Sequence, residues 1–412
     1  MIRLFACLVL LVQAPPAIQV VQDVASGVYE PGQKATWAIT IPGGSGKASY
    51  VVRPGGLGEV AKGDVELVDG KATVSATRPD AGTLLLEVSY QKAVARGGAV
   101  FAPDKIQASA PLPDDFDAFW AAKIKELNDV PLNVQLEKVD VGDPSIEYFK
   151  VTLDNIRGAK IQGQIAKPAG KSGLPAQLQV QYAGVYGLNR GWVTGPAKAG
   201  WLTLNILAHD LPIDEKKEFY DEKSKKELAD YTVIGAEDRE KSYFLKMFLS
   251  CYRAVDYLTK REDWNKGALV VQGGSQGGYQ AIVTAGMHPA VTAFAANVPA
   301  GCDHTGKRAK RAPGWPNWTG REWMKRDAAK LEETGRYFDA MNFARKVKVP
   351  ALVGIGLVDT VCPAEGVFAT VNQFQGPKKI IVMPQSGHGG EGPGHKDYYA
   401  VYGGFLEEHK KK

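Results

Sequence analysis

The stretch Gly273-Gly274-Ser275-Gln276-Gly277 constrains the fold of this chain more than any other segment. It follows the apolar run "ALVV" and precedes "GYQAIVTAG", so the pattern predicts a strand, a sharp turn and a helix. Because the chain holds 46 glycines, a Gly-x-Ser-x-Gly match carries little weight without that context. At such a turn the residues two before and two after the serine must lack clashing side chains. The pattern therefore favours a nucleophilic serine. The alternative is a tight turn that only lets a helix pack on a strand.

Strand-like apolar runs alternate with helical stretches from about residue 110 onwards. The runs predicted as strands are "AQLQVQYAG", "WLTLNILAHD", "GALVVQGG", "AFAANVPAG", "PALVGIGLVD" and "KKIIVMPQSG". Several are apolar on both faces, as strands buried in a parallel sheet are. The alternation predicts an α/β fold of the α/β-hydrolase type, a mainly parallel sheet with helices on both faces.

A serine nucleophile needs a histidine to accept its proton and an acid to orient that histidine. In α/β-hydrolases the chain order is serine, acid, histidine. Asp359 ends "PALVGIGLVD" and His388 follows "KKIIVMPQSG", so both stand at predicted strand ends in the required order. Taken singly, Asp359 is equally typical of a helix cap and His388 of an ordinary loop histidine. His395 is the competing base, expected at the solvent-facing start of the last helix.

An oxyanion hole needs two backbone N–H groups. We expect one from Gln276, directly after the serine, and one from Val185 in the loop after "AQLQVQY". Gly184 lets that backbone bend close to the nucleophile.

Three other histidines are weaker candidates. His209 ends a strand that precedes the serine, so its chain order is wrong. His288 and His304 lie on the wrong segments for a base and are interpreted as surface or lid residues. Residues 303–331 are predicted to form a lid. Its tryptophans either stack on sugar rings or simply pack.

The first part of the chain, residues 18–108, has a different pattern. Runs such as "KATWAITI", "DVELV" and "GTLLLEVSY" are separated by turn signals such as "PGGSG" and "RPDAG". This predicts a small all-β sandwich of the immunoglobulin type. Helical spacing begins in "PDDFDAFW", so the catalytic domain is placed at residues 109–412. No triad candidate precedes residue 110, and the sandwich is predicted to be an accessory domain outside the chemistry.

Residues 1–17 have the pattern of a secretory signal peptide. Arg3 supplies the positive start, and the apolar run 4–12 is too short to span a membrane. The alternative is a buried N-terminal strand. The signal predicts a secreted or periplasmic protein.

Charge and cysteine usage exclude several classes of protein. The net charge of +5 is small and its basic runs are short, so no nucleic-acid partner is expected. Removal of the signal would leave three cysteines, Cys251, Cys302 and Cys362. Three cysteines in so long a chain do not form a disulfide framework, although one disulfide is possible. No His, Asp or Glu cluster has metal-ligand spacing, so neither a metal nor an organic cofactor is expected.

Four segments resemble the acetyl xylan esterase / cephalosporin C deacetylase family: "PDDFDAFW", "GGSQGGYQA", "NVPAGCD" and the stretch from "GRYFDAMNFARKVKVPALVGIGLVDTVC" to "MPQSGH". Members of that family are α/β-hydrolases that cleave short acyl esters, mostly acetyl, from sugars and related compounds. The resemblance implies Ser275 as nucleophile, Asp359 as acid and His388 as base, in agreement with the residue pattern. The chain departs from the family at 208–212, where Arg-Gly-Gln is usual, at 183–185, where His-Gly-Tyr is usual, and at Gly389, where Glu is usual.

We therefore expect a serine carboxylesterase that removes short acyl groups, chiefly acetyl, from acetylated polysaccharide or oligosaccharide through an acyl-enzyme. One alternative is a serine peptidase of the prolyl oligopeptidase type. The roughly ninety residues before the boundary are too few for the propeller such peptidases carry. The other alternative is a catalytically inactive carbohydrate-binding protein, against which the presence of all three triad residues argues.

Overall fold

The computed structural model describes residues 17–389 and 393–411. The predicted signal peptide lies almost wholly outside the described residues. Within them, no helix is both long and apolar enough to cross a membrane.

The N-terminal part forms two facing β-sheets. Its strands are β1 (Gln19–Gln22), β2 (Val28–Tyr29), β3 (Lys34–Thr40), β4 (Gly46–Pro54), β5 (Ala61–Leu67), β6 (Lys71–Thr77), β7 (Gly82–Tyr90) and β8 (Ala93–Phe101). One sheet has the order β1-β3-β6 and the other β2-β8-β7-β4-β5. Along β3 the residues Ala35, Trp37 and Ile39 point inward in alternation, and Trp37 is fully buried between the sheets.

The rest of the chain is built on one nine-stranded sheet of order β17-β16-β15-β14-β12-β13-β11-β10-β9. Its strands are β9 (Gln135–Lys138), β10 (Ile146–Asp154), β11 (Lys160–Pro168), β12 (Leu174–Val180), β13 (Leu202–Ile206), β14 (Trp264–Gly274), β15 (Ala293–Asn297), β16 (Ala351–Gly356) and β17 (Lys378–Met383). Every pairing among strands β12 to β17 is parallel. The pairings of β9 with β10, β10 with β11 and β11 with β13 are antiparallel. The α/β fold class is confirmed.

Helices cover both faces of this sheet. They are α1 (Phe116–Asn128), α2 (Gly191–Lys198), α3 (Lys217–Lys225), α4 (Tyr243–Thr259), α5 (Gln276–Met287), α6 (Ala328–Phe338), α7 (Ala340–Ala344), α8 (Ala364–Val371) and α9 (Lys396–His409). Successive residues of β14 point to opposite faces of the sheet. Val271 packs in the core that contains α4 and α5, whereas Val270 packs with Tyr398 and Phe405 of α9.

Strands β9 to β11 are absent from the sequence-based prediction. In β10 buried and half-buried residues alternate over Ile146–Asp154, so the segment lacks the doubly apolar character used to recognise the central strands. These strands extend the sheet at the end far from Ser275.

The sandwich is joined to the domain built on the nine-stranded sheet by a buried carboxylate. Glu365, in the first turn of α8, accepts hydrogen bonds from the backbone N–H of Thr83 at 2.6 Å and from its hydroxyl at 3.1 Å. The Arg78 guanidinium donates to the same carboxylate at 2.8 Å. Within the larger domain, the guanidinium of Arg311, also buried, lies 3.7 Å from the other oxygen of the Glu365 carboxylate. Buried charges are tolerated only when paired in this way, so the contact fixes the two parts together.

Glu365→Ala should lower the free energy of unfolding by about 3 kcal/mol, because it leaves a buried N–H and a largely buried guanidinium without an acceptor. Urea unfolding followed by circular dichroism measures the change. Glu66→Ala removes an exposed carboxylate from a surface pair with Lys47 and is the matched control. It should change stability by no more than about 0.5 kcal/mol. Equal stabilities for the two variants would contradict a structural role for Glu365.

Candidate active site

Ser275 stands at the turn between β14 and α5 with φ 54° and ψ −120°, a backbone conformation that non-glycine residues rarely adopt. A Cβ on Gly273 would lie 2.5 Å from the carbonyl carbon of Gly277, and a Cβ on Gly277 would lie 2.6 Å from the carbonyl oxygen of Val180. Neither distance is sterically allowed. The two glycines are therefore required by the turn that exposes the serine at the end of the strand.

The three residues predicted as a triad lie in one hydrogen-bonded chain. Ser275 Oγ donates to His388 Nε2 at 2.8 Å, and His388 Nδ1 donates to Asp359 Oδ2 at 2.8 Å. Asp359 follows β16 and His388 follows β17, so the sheet brings together groups that stand 113 and 29 residues apart in the chain. This geometry allows proton transfer from serine to imidazole.

Asp359 is fixed by more than the imidazole. Its other oxygen, Oδ1, accepts the backbone N–H groups of Val361 and Cys362, each at 2.8 Å. Helix α8 begins only at Ala364, so the alternative interpretation of Asp359 as a helix cap is wrong. The carboxylate is buried with both oxygens occupied, and it holds the imidazole in one orientation.

His395 does not reach either triad partner. Its Nδ1 accepts from the side-chain amide of Asn297 at 2.9 Å, and its Nε2 donates to the carbonyl oxygen of Gly387 at 2.9 Å. It is half-buried at the start of α9 instead of facing solvent freely. His395 thus supports the loop that carries His388.

The two predicted oxyanion donors have unoccupied backbone N–H groups. Within residues 17–389 and 393–411, no acceptor lies within hydrogen-bond distance of the N–H of Gln276 or of Val185. Gln276 is the first residue of α5, where the helix dipole favours negative charge. Gly184 has φ 126°, as the predicted close bend requires.

Three residues outside the predicted site, Tyr231, His209 and Tyr243, hold this oxyanion loop. Tyr231 Oη donates to the side-chain carbonyl of Gln276 and accepts the N–H of Gly184 at 3.3 Å. His209 Nε2 donates to the carbonyl oxygen of Gly184 at 3.0 Å, and its Nδ1 accepts from Tyr243 Oη at 2.7 Å. Burial lowers the pKa of His209 to about 4, so the ring is neutral at neutral pH with one fixed tautomer.

The signal for these residues in the sequence is weak. Tyr231 lies 45 residues before Gln276 in a short 3₁₀ turn with no motif around it. His209 is visible as a polar residue at a strand end, but its position in the chain suits no triad role.

The prediction for His288 and His304 is a surface or lid position, and the surface interpretation is wrong, since both are buried. His304 stacks on Trp318 with ring centres 4.9 Å apart, and burial lowers its pKa to about 3. Trp318 is itself buried and donates its Nε1–H to the carbonyl oxygen of Thr232 at 2.6 Å. Trp318 therefore packs inside the protein, whereas Trp323 in the same segment is 74% exposed.

The sandwich contributes no residue to the triad but contacts both of its loops. A Cβ on Gly98 would lie 2.4 Å from the Cβ of Leu357, two residues before Asp359. A Cβ on Gly27 would lie 2.7 Å from Leu357 and 3.1 Å from Pro384, four residues before His388. The sandwich is thus packed directly against the segments that position the acid and the base.

Among the described residues, one cluster has metal-ligand character: the donor atoms of Asp359, Cys362 and His388 lie within 4.8 Å of one another. The first and last are already hydrogen bonded to each other. Burial raises the pKa of the Cys362 thiol well above its ordinary value, so the thiolate that a metal requires is disfavoured. Cys251, Cys302 and Cys362 are all buried and unpaired.

The sequence of this chain is similar to a known protein family and to a curated protein. The acetyl xylan esterase (AXE1) family model matches residues 104–402. A curated protein, acetyl esterase Axe7A of Xylanibacter ruminicola, is 31% identical over 355 residues, which cover 83% of this chain and 79% of that protein.

Two solved structures are also similar. The acetyl xylan esterase from Paenibacillus sp. R4 has 25% sequence identity and a TM-score of 0.64, and the match covers 74% of this chain and 98% of that one. Acetyl xylan esterase 1 from Thermoanaerobacterium sp. JW/SL YS485 has 19% identity and a TM-score of 0.60, with 75% and 96% covered, and shows the same fold.

Ser275→Ala and His388→Ala should each lower kcat for p-nitrophenyl acetate about a thousandfold or more, because each removes a step of the proton transfer. His395→Ala should keep most of the activity, within about tenfold of wild type, because His395 only supports the loop. Initial rates of the purified variants measure both effects.

Circular dichroism and urea unfolding control for loss of fold in these variants. If His395→Ala is inactive and His388→Ala remains active, the general base is His395 and the prediction for His388 is wrong.

Proposed function

Since this chain belongs to the acetyl xylan esterase family, and is a carboxylic ester hydrolase that deacetylates carbohydrate, we propose that Ser275, His388 and Asp359 carry out the hydrolysis. The observation that carries the proposal is the unbroken chain of two 2.8 Å hydrogen bonds at the carboxyl edge of the sheet. That edge is where α/β folds bind and transform their ligands.

In the first half-reaction His388 Nε2 accepts the hydroxyl proton of Ser275, and Oγ forms a bond to the ester carbonyl carbon. Asp359 stabilises the imidazolium through its hydrogen bond to Nδ1–H. Collapse of the tetrahedral intermediate breaks the bond to the sugar oxygen, which takes the proton from Nε2. The products of this step are the free sugar hydroxyl and an acyl-serine.

The free N–H groups of Gln276 and Val185 are proposed to bind the oxyanion of the intermediate. Donors fixed before the reaction stabilise the charge that develops there, and loss of one such donor typically costs about 3 kcal/mol of activation free energy. Tyr231 contacts both segments that carry the donors, which supports their being held at a constant spacing.

In the second half-reaction a water molecule replaces the sugar. His388 accepts a proton from that water, the hydroxide adds to the acyl carbon, and the bond to Oγ breaks as Nε2 returns the proton to Ser275. The acyl group leaves as acetic acid, which carries the second proton of the water and releases it to solvent as acetate forms, and the free enzyme is restored. The proton taken from Ser275 and the proton taken from the attacking water each pass through Nε2 of His388.

The natural substrate is proposed to be an acetylated polysaccharide or oligosaccharide. The names of the similar proteins support this, since they are an acetyl esterase and acetyl xylan esterases. Acetyl is the expected acyl group, with a pocket that disfavours long chains.

Two assays test this function together. Acetate release is measured from acetylated xylan, acetylated xylo-oligosaccharides and other acetylated glycans, with Ser275→Ala as the matched blank. With p-nitrophenyl esters, kcat/KM should fall by about tenfold or more from acetyl to octanoyl, because a pocket sized for acetyl rejects added methylenes. Equal turnover of the octanoyl ester would indicate a lipase-like pocket. Absence of all hydrolysis would favour the inactive carbohydrate-binding alternative.

Export from the cytoplasm is also proposed, with cleavage of the segment 1–17. Arg3 and the apolar run 4–12 support it. N-terminal sequencing of the protein recovered from culture medium or periplasm tests this. A mature chain that keeps Met1 would contradict it.

A further inference from the structure

A cavity of about 380 Å³ lies beside the nucleophile turn, between α2 and α9. Its volume is within the range of about 300–1,000 Å³ typical of small-molecule sites. Gly273 and Gly274, which directly precede Ser275, form part of its lining, and so do Gln181 and Tyr182, which directly precede the oxyanion loop. The cavity is therefore next to the site described above, but neither Ser275 nor His388 lines it.

Aromatic side chains form two walls of this cavity. On one side Tyr182 stacks on Tyr186 at 4.8 Å, and Trp192 of α2 meets Tyr186 edge-on at 6.3 Å. On the other side α9 contributes Tyr398, Tyr399 and Tyr402. Tyr182 and Tyr399 are 53% and 61% exposed, so large ring surfaces on both walls face solvent. Exposed aromatic faces on opposing walls suit a flat ligand with apolar faces.

Amide side chains form the floor, where β12, β13 and β14 turn a polar face toward α2 and α9. Asn205 is satisfied by Gln164 at 3.0 Å and by the carbonyl oxygen of Gln179 at 3.0 Å. Gln272 is satisfied by Gln177 at 2.9 Å and by Tyr402. The side-chain amide of Gln179 has no partner among the described residues, and it is half-buried in the floor.

Further hydrogen-bonding groups on the walls are free as well. Within the described ranges, no partner lies within hydrogen-bond distance of the Trp192 Nε1–H or of the Tyr398 and Tyr399 hydroxyls. The cavity thus offers donors and acceptors around its edge as well as in its floor, which suits a ligand with several hydroxyl groups.

Among the residues that the structure describes, the lining contains no lysine, arginine, histidine, aspartate or glutamate. A carboxylate, phosphate or ammonium group buried there would have no counter-charge and would lose its hydration. The chemistry of the cavity therefore selects an uncharged ligand.

We propose that this cavity binds an uncharged sugar ring of the acetylated substrate and presents it to Ser275. The inference rests on the proposed function for the identity of the substrate, and it adds the place and the class of sugar. A pyranose has apolar faces for the aromatic walls and equatorial hydroxyls for Gln179 and the tyrosines. A uronic acid is disfavoured because its carboxylate would be unpaired.

The cavity is connected to the reacting groups through Asn297, which also lines it. The carbonyl oxygen of Asn297 accepts the N–H of Ser275 at 2.9 Å, and its side-chain amide donates to His395 at 2.9 Å. His395 in turn holds Gly387, next to the base. A sugar seated on this floor is therefore held on the same rigid elements as the nucleophile and the base.

The first test compares a substrate with sugar to one without. Trp192→Ala and Gln179→Leu should lower kcat/KM for acetylated xylo-oligosaccharide about tenfold more than they lower it for p-nitrophenyl acetate, which has no sugar ring to place. Trp192→Phe keeps an aromatic face and should restore most of the ratio. Tyr399→Ala removes an exposed ring and serves if Trp192→Ala fails to fold.

Trp323→Ala is the matched control, because Trp323 is an exposed tryptophan outside the cavity. It should leave the ratio of the two kcat/KM values unchanged. Equal losses on both substrates in the cavity variants would overturn the proposal in favour of a purely structural role. A change of the ratio in Trp323→Ala alone would place the sugar on the segment 303–331 and also overturn it.

The second test measures binding without turnover. The Ser275→Ala protein is titrated by calorimetry with xylobiose, cellobiose and mannobiose, and with glucuronate as the charged comparison. At least one neutral disaccharide should bind saturably, and Trp192→Ala in that background should weaken it about tenfold. Binding of glucuronate alone, or of none of the sugars, would overturn the proposal.

The two proposals fail in different ways. One outcome is that the wild type binds sugar in a way that depends on Trp192 and yet releases no acetate from any glycan. That result would contradict the proposed function and would still support the cavity as a sugar site. Acetate release with an unchanged ratio in every cavity variant would sink the cavity site alone.

Discussion

Close backbone contact at the turn between β14 and α5 is the constraint on which the rest of the site depends. Gly277 lies so near the carbonyl oxygen of Val180 that any side chain there would push α5 off the sheet. At this turn Ser275 has a positive φ, and its N–H donates to the carbonyl oxygen of Asn297 in β15. These two contacts fix the turn that carries Ser275 against the carboxyl ends of both β12 and β15. The loop after β12 carries the N–H of Val185, which has no acceptor among the described residues. Asn297 supports the loop of His388 through its hydrogen bond to His395. The strain of one residue is offset by packing of the whole sheet.

Asp359 and His388, the proposed acid and base, follow the next two strands, β16 and β17, and the sandwich packs against the segments that lead to them. Both oxygens of Asp359 are occupied within its own turn and by His388, so its position depends on the backbone that leads to it. That backbone is packed against the sandwich at Leu357, where Gly98 allows contact that a side chain would prevent. Helix α8, which begins shortly after Asp359, is joined to the sandwich by the buried carboxylate of Glu365. The sandwich contributes none of the three residues proposed for catalysis, but it packs directly behind the segment that leads to Asp359.

The two faces of the sheet serve different purposes. The face toward α4 and α5 is apolar and forms the main core, while the face toward α2 and α9 carries a row of amide side chains near its carboxyl edge. Buried amides cost stability unless each is satisfied, and most of this row is satisfied by neighbouring strands. Within the described part of the chain, no partner contacts the side-chain amide of Gln179, and this is where we expect a ligand to bind. The cavity above it exists because α2 and α9 stand apart, and their tyrosines and tryptophan cover its sides.

The sequence by itself determined the α/β class and the order of serine, acid and histidine, because strand periodicity and a turn that admits only glycine are local properties. The same local signals indicated Gly184 and the free N–H of Gln276. Tertiary structure alone decided that His388 and not His395 reaches Ser275, since both stand in one glycine-rich loop and only its path separates them. It also decided the roles of Tyr231 and His209, the burial of His304 and the contact of the sandwich with Leu357. Each of these depends on which distant segments the sheet brings together. Residue spacing within one segment does not indicate which other segment will lie beside it.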